Sequence, residues 1–257
     1  MPLLVLAVLF SLVAVAYSSV GFGGGSTYNA LLILSGLDYR LVPAIALTCN
    51  ILVVSGGVYH YSRAGVLSIG KLLPFIVLSV PMAWLGGRLP VSEQVFIGLL
   101  GFGLLIAALQ MLLKPAVRTP VDSHKTIRYW LVCTSVGGVI GLLAGITGIG
   151  GGIFLAPVIY FFRLAPTRVV AGITSAFILV NSIAGLAGQL MKAGDYSPVA
   201  GWIQAWPMFF AVIIGGQIGS RLGAYHLPEK WIRRLTAALM LYVALRLTWR
   251  WFGMTWL

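Results

Sequence analysis

Long apolar runs separated by short polar breaks constrain this chain more than any other feature. They fall at 2–20, 27–36, 41–60, 70–88, 94–113, 129–147, 153–162, 168–190, 199–220 and 232–250. About 20 apolar residues make a helix long enough to cross a bilayer. The acidic residues Asp38, Glu93, Asp122, Asp195 and Glu229 all lie in the breaks, where a charge avoids the cost of burial in hydrocarbon. Charged residues make up only 9% of the chain, against about a quarter in soluble domains. So few charges cannot cover a globular surface, and much of the outside must face lipid. The N-terminal run has no basic residue before Arg40 and is longer than a signal-peptide core, so a retained membrane segment is expected.

The net charge of +12 does not point to nucleic acid. Lys and Arg stand at the ends of apolar runs, where they anchor helices to anionic headgroups. Cys49 and Cys133 lie inside runs with no C-x-x-C pair and read as buried, reduced thiols. There is no Walker A sequence, no set of residues with metal-ligand spacing and no nucleophile–base pair within a run. The expectation is a protein without enzymatic activity or cofactor.

The most polar break, 114–128, divides two halves that resemble each other. Gly21, Gly23, Gly24 and Gly25 line up with Gly148, Gly150, Gly151 and Gly152. Arg40 lines up with Arg168, Arg63-Ala64-Gly65 with Lys192-Ala193-Gly194, and Gly86-Gly87-Arg88-Leu89 with Gly219-Ser220-Arg221-Leu222. The shared order indicates a duplication, with repeats at 1–113 and 129–257 joined by a cytoplasmic linker at 114–128. Long internal repeats in membrane proteins are typical of transporters.

Charge counting chooses between parallel and inverted halves. If each glycine cluster is only a kink in a full span, giving eight plain transmembrane helices, the basic residues divide almost evenly between the two sides. If each cluster tips a re-entrant or broken helix hairpin followed by three transmembrane helices, Arg40, Arg88, Lys192, Arg246 and Arg250 fall on one side. The other 12 of the 17 fall on the opposite side. The positive-inside rule favours the second arrangement. The expected fold is therefore an all-α polytopic membrane protein of two inverted repeats, with both termini outside.

Each glycine cluster breaks a helix and begins another, at about Ser26 and Ile153. A helix start presents unpaired N–H groups and the positive end of the helix dipole, and glycine lets a ligand approach that backbone. Two such starts meeting near the midplane would bind an anion. The candidate substrate-binding residues are Gly23, Gly24, Gly25, Ser26 and Asn29 at the first cluster, with Thr147, Gly150, Gly151 and Gly152 at the second. Asn50, Thr174, Ser175 and Asn181 come from the helices that follow. The competing reading is that these glycines serve close helix packing, which is the expectation for Gly137-Gly138 and Gly215-Gly216. Tyr17, Tyr28, His60 and Gln189 are weaker candidates.

At GFGGGSTYNALLIL (21–34), GITGIGGGIFLAPVIYFF (145–162) and GITSAFILVNSIAG (172–185) the sequence resembles the sulfite exporter TauE/SafE family, across essentially the whole chain. The resemblance implies a multi-pass transporter of the bacterial cytoplasmic membrane that moves sulfite, a sulfonate or another small organosulfur anion. Export by a secondary transporter is the expected activity. An anion channel, or carriage of another oxyanion such as thiosulfate or sulfate, is the alternative. The expected partners are the anion, membrane lipid and a second copy of the chain.

Overall fold

The computed structural model describes residues 3–37, 41–89, 105, 109, 127–191 and 198–255. The apolar run 94–113 (apart from Leu105 and Leu109), the linker 114–126, Asp38, Arg40, Glu93, Asp122 and residues 192–197 lie outside the described residues. The described part is helical and contains no strand. In the first half α1 spans Leu3–Ser18, α2 Gly25–Leu34, α3 Val42–Arg63 and α4 Ile69–Arg88. In the second half α5 spans Ile127–Thr147, α6 Gly152–Phe161, α7 Thr167–Leu190, α8 Pro198–Arg221 and α9 Glu229–Thr255. A π-helical turn, Leu222–His226, extends α8.

Four helices (α3, α4, α5 and α7) are long and apolar enough to cross a membrane, and α1 and α6 are shorter apolar helices. Large apolar side chains stand exposed along them, among them Leu12 on α1, Val77 on α4, Val139 on α5 and Ile214 on α8. In water such a surface would be a liability; against lipid it is the expected exterior. Both clusters expected to break helices do so: α1 gives way to α2, and α5 to α6, across Gly21–Gly24 and Gly148–Gly151.

Glycines set how the long helices meet. A Cβ added at Gly137, Gly141 or Gly145 of α5 would overlap the carbonyl oxygen of Phe75, Ser79 or Ala83 of α4. A Cβ at Gly215, Gly219 or Gly223 would overlap that of Ser11, Val15 or Ser19, along α8 and α1. Backbones this close gain packing and weak Cα–H···O contacts, a standard source of helix association in lipid, where the hydrophobic effect supplies none. The packing role expected of Gly137-Gly138 and Gly215-Gly216 is what is observed.

These contacts also give the helix directions. Residue numbers rise together along α4 and α5, and along α1 and α8, so each pair is parallel. Val53 of α3 meets Gly216, and Tyr61 meets Gly223, so α3 runs with α8. Ser79 bonds Asn181 and Trp84 meets Gly188, so α4 runs with α7. Between α3 and α7 the order reverses: Leu47 lies at Gly185, Gly57 at Ser175 and Tyr61 at Gly172. Thus α1, α3 and α8 point one way and α4, α5 and α7 the other. The first helix of each half packs on the fourth helix of the opposite half, and α3 and α7 pack on each other at the centre.

Candidate site at the paired glycine turns

The two turns share a backbone plan. After α1 the chain closes on itself through Phe22 N–H to Tyr17 O (2.8 Å) and Gly21 N–H to Ser18 O (3.1 Å). Gly21 and Gly24 have φ of 83° and 90°; their counterparts Gly148 and Gly151 have 71° and 79°, and Gly150 adds 81°. An L-residue in this left-handed region costs about 1–2 kcal/mol, so glycine is required by the turn itself.

Each turn is held by the other half of the chain. The last carbonyls of a helix have no partner within it. At the end of α1, Gly21 O accepts from Thr174 Oγ1 (3.1 Å) and Ser175 Oγ (3.2 Å) of α7. Tyr61 Oη lies within donating distance of Ser18 O (3.2 Å) and Ser19 O (3.1 Å). At the end of α5, Thr147 O accepts from Asn29 Nδ2 of α2 (2.7 Å) and Gly148 O from Asn50 Nδ2 of α3 (3.3 Å). Gln189 Nε2 reaches Gly145 O (3.1 Å). The negative ends of both broken helices are therefore met by protein donors.

The positive ends are left open. In α2 the first N–H groups to find an acceptor are those of Thr27 and Tyr28, which reach Gly24 O at 3.0 Å. In α6 they are those of Phe154 and Leu155, which reach Gly151 O at 3.0 and 3.2 Å. The N–H groups of Gly25, Ser26, Gly152 and Ile153 precede these and have no acceptor among the described residues.

Buried polar atoms without a hydrogen-bond partner gather at the same place. Tyr28 Oη, Asn29 Oδ1, Asn50 Oδ1 and Ser182 Oγ are all buried and unpaired among the described residues, and Tyr28, Asn50 and Ser182 are wholly inaccessible. Asn50 is the hub. A Cβ at Gly23 would overlap its Oδ1; one at Gly25 would sit 2.6 Å from its Nδ2 and 2.9 Å from Gly148 O. One at Gly150 would sit 3.0 Å from Asn50 Nδ2 and 2.9 Å from Ser182 Oγ, and one at Gly24 3.0 Å from Tyr28 Oη. Leaving such an atom unpaired costs about 1–3 kcal/mol each.

The expected residues divide accordingly. Gly23, Gly25 and Gly150 face the Asn50 amide, and Ser26 is half-buried in the first turn of α2. Asn29 and Thr147 come together, and the Thr147 hydroxyl accepts from Ile149 N–H (3.2 Å). Gly24 lies against Tyr28 and Val13, Gly151 against Ile140 and Phe177, and Gly152 against Ile178. Thr174 and Ser175 direct their hydroxyls at Gly21 O, and Thr174 also reaches Val170 O (2.9 Å). Asn181 donates to Phe177 O (2.8 Å) and accepts from Ser79, bracing α7 against α4. Ser182 was not among the expected residues, and Tyr28 was only a weak candidate. His60 is half-buried and pairs with Gln217 (2.9 Å), a helix-end role. Among the described residues no three His, Cys, Asp or Glu lie close enough to hold a metal ion.

Residues 5–247 match the family described as sulfite exporter TauE/SafE. The chain belongs to that family. Among curated relatives it is 33% identical to a probable membrane transporter protein of Sinorhizobium fredii, y4hK, with 95% of this chain and 97% of the relative covered. It is 26% identical to the probable membrane transporter protein YjnA of Bacillus subtilis, over 88% and 92% of the two chains. An archaeal relative from Methanocaldococcus jannaschii, also a probable membrane transporter protein, is 23% identical over 88% and 89%. No solved structure matches. TauE/SafE membership and the apolar helices together make this a multi-pass membrane transporter.

Proposed function

We propose that this TauE/SafE protein is a secondary transporter that carries sulfite or a small organosulfonate, in the export direction, across the bacterial cytoplasmic membrane. The observation that carries the reading is the asymmetry of the four helix ends at the glycine turns. The carbonyl ends of α1 and α5 are met by Thr174, Ser175, Tyr61, Asn29, Asn50 and Gln189, whereas the N–H ends of α2 and α6 are open. Closing the negative ends and leaving the positive ends free biases the centre toward an anion, bound by dipoles and neutral donors. Such binding needs no buried cation and releases its cargo readily.

In this reading the two halves are inverted repeats, as charge counting suggests. The helix directions support it: α1 and α3 oppose their counterparts α5 and α7. Cross-capping of each turn by the other half supports it too, because it puts the proposed anion site between the halves, where transporters built on inverted repeats bind their cargo. Thr174 and Ser175 hold the first turn in place and Asn181 braces α7 against α4, while Gly23, Gly25, Gly150, Asn50 and Ser182 face the anion.

The test is flux into proteoliposomes containing the purified protein, followed with labelled sulfite and with a labelled short organosulfonate. Saturable counterflow is expected. Large unitary conductance in a planar bilayer would favour an anion channel, and absence of flux for every sulfur oxyanion would reject the assignment.

A further inference from the structure

The unpaired atoms at the turns are not all donors, and this restricts the anion further; the point rests on the anion reading above. Asn50 is fully buried, and its amide nitrogen is committed to Gly148 O. That bond fixes the orientation of the amide and leaves Oδ1 directed at Gly23, with no donor among the described residues. Asn29 repeats the arrangement: Nδ2 is committed to Thr147 O and Oδ1 is buried without a donor. The Asn50 amide borders Gly25, the first residue of α2, and Gly150, just ahead of α6, and Asn29 lies one turn into α2, so both unpaired oxygens belong to the neighbourhood of the two helix starts.

A cation would not resolve this. Two neutral oxygens are far fewer than the six or more that hard cations gather, and the adjoining helix starts carry partial positive charge. A fully deprotonated oxyanion fits the N–H groups but presents only acceptors, so its oxygens would confront Asn29 Oδ1 and Asn50 Oδ1. We infer that the ligand is a monoanion carrying its own O–H or N–H donor, its charged oxygens on the α2 and α6 N–H groups and its donor on the asparagine oxygens. A singly protonated inorganic oxyanion meets this requirement, and so does a short sulfonate with a hydroxyl group.

The discriminating probes are ethanesulfonate and 2-hydroxyethanesulfonate, which share charge and headgroup and differ in one hydroxyl. Each is titrated against the full-length protein in detergent, with thermal stabilisation as the readout. A parallel arm titrates sulfite in mildly acidic medium, where it is singly protonated, and in mildly alkaline medium, where it is a dianion. The hydroxylated sulfonate, or the protonated sulfite if only inorganic anions bind, is expected to bind tighter by about tenfold or more, the scale on which polar sites reject ligands lacking a required donor. Asn29→Ala and Asn50→Ala, whichever folds, should bring the ratio toward one. Equal binding within both pairs, or a ratio retained in both variants, overturns the inference while leaving the anion site standing. Failure of every probe to bind overturns the anion site, and the inference with it.

Discussion

Gly23→Ala tests the geometry of the turns with the smallest perturbation available. One methyl group at this position would overlap Asn50 Oδ1 and lie 2.8 Å from Asn50 Cγ. The Asn50 side chain is fully buried between the two turns, so it must move to admit the methyl group. Its displacement breaks the bond to Gly148 O and leaves that carbonyl uncapped. Overpacking costs about 1–3 kcal/mol and an unpaired buried carbonyl about 1–3 kcal/mol, so the loss is about 2–6 kcal/mol. If half of it falls on the anion-competent arrangement, affinity drops by about fivefold to about 140-fold. Gly70→Ala is the control: Gly70 lies in the first turn of α4 with nothing within 4 Å of an added Cβ, and alanine there gains helix propensity. Labelled sulfite or organosulfonate counterflow, measured with thermal unfolding in detergent, should fall in Gly23→Ala and stay unchanged in Gly70→Ala. Wild-type counterflow and stability in Gly23→Ala would refute the placement of Asn50.

Three further outcomes follow from the same contacts. Gly151→Leu should insert into the membrane and lose transport: its φ of 79° costs about 1–2 kcal/mol for an L-residue, and its Cβ would press on Ile140 and Phe177 at 3.0 Å, as proteoliposome flux and membrane fractionation will register. Gly141→Val should destabilise the α4–α5 pair by about 1–3 kcal/mol, seen as a lower unfolding midpoint, because its Cβ would meet Ser79 O. Ser62→Cys, exposed at the end of α3 beside Arg63, should react only with thiol reagents that reach the cytoplasm; labelling from outside intact cells would contradict the inverted arrangement.

Much of the architecture is legible before any coordinates. Glycine clusters have a local cause and a local effect, so GFGGGS and GIGGGI announce the ends of α1 and α5 and the starts of α2 and α6. The packing of Gly137 and Gly215 is readable for the same reason. What the residues do not disclose is partner choice. Thr174 and Ser175 sit near a turn, as expected, but only the crossing of α7 over Gly21 makes their hydroxyls caps for a carbonyl. Ser182 looks like any serine in an apolar run, and its unpaired hydroxyl is apparent only because α7 carries it past Gly150. Asn181, the more conspicuous neighbour, turns instead to Ser79. Periodicity assigns a face to each of these residues, and the pairing of α3 with α7 decides what that face meets.

The central claim is that an anion occupies the space between the two glycine turns, and Ser182→Cys reports on it directly. Serine and cysteine are close in size, Ser182 Oγ lies 2.9 Å from the Cβ position of Gly150, and Cys49 and Cys133 can be replaced by alanine so that only the new thiol reacts. Ser182 is inaccessible in the closed arrangement, so the measurement is the rate at which opening of the site admits a small maleimide in proteoliposomes, with increasing concentrations of a transported organosulfonate at constant ionic strength. Saturable protection, with a midpoint matching that of transport, is the predicted result. A modification rate indifferent to the organosulfonate, in protein that still transports it, would contradict the assignment of the site.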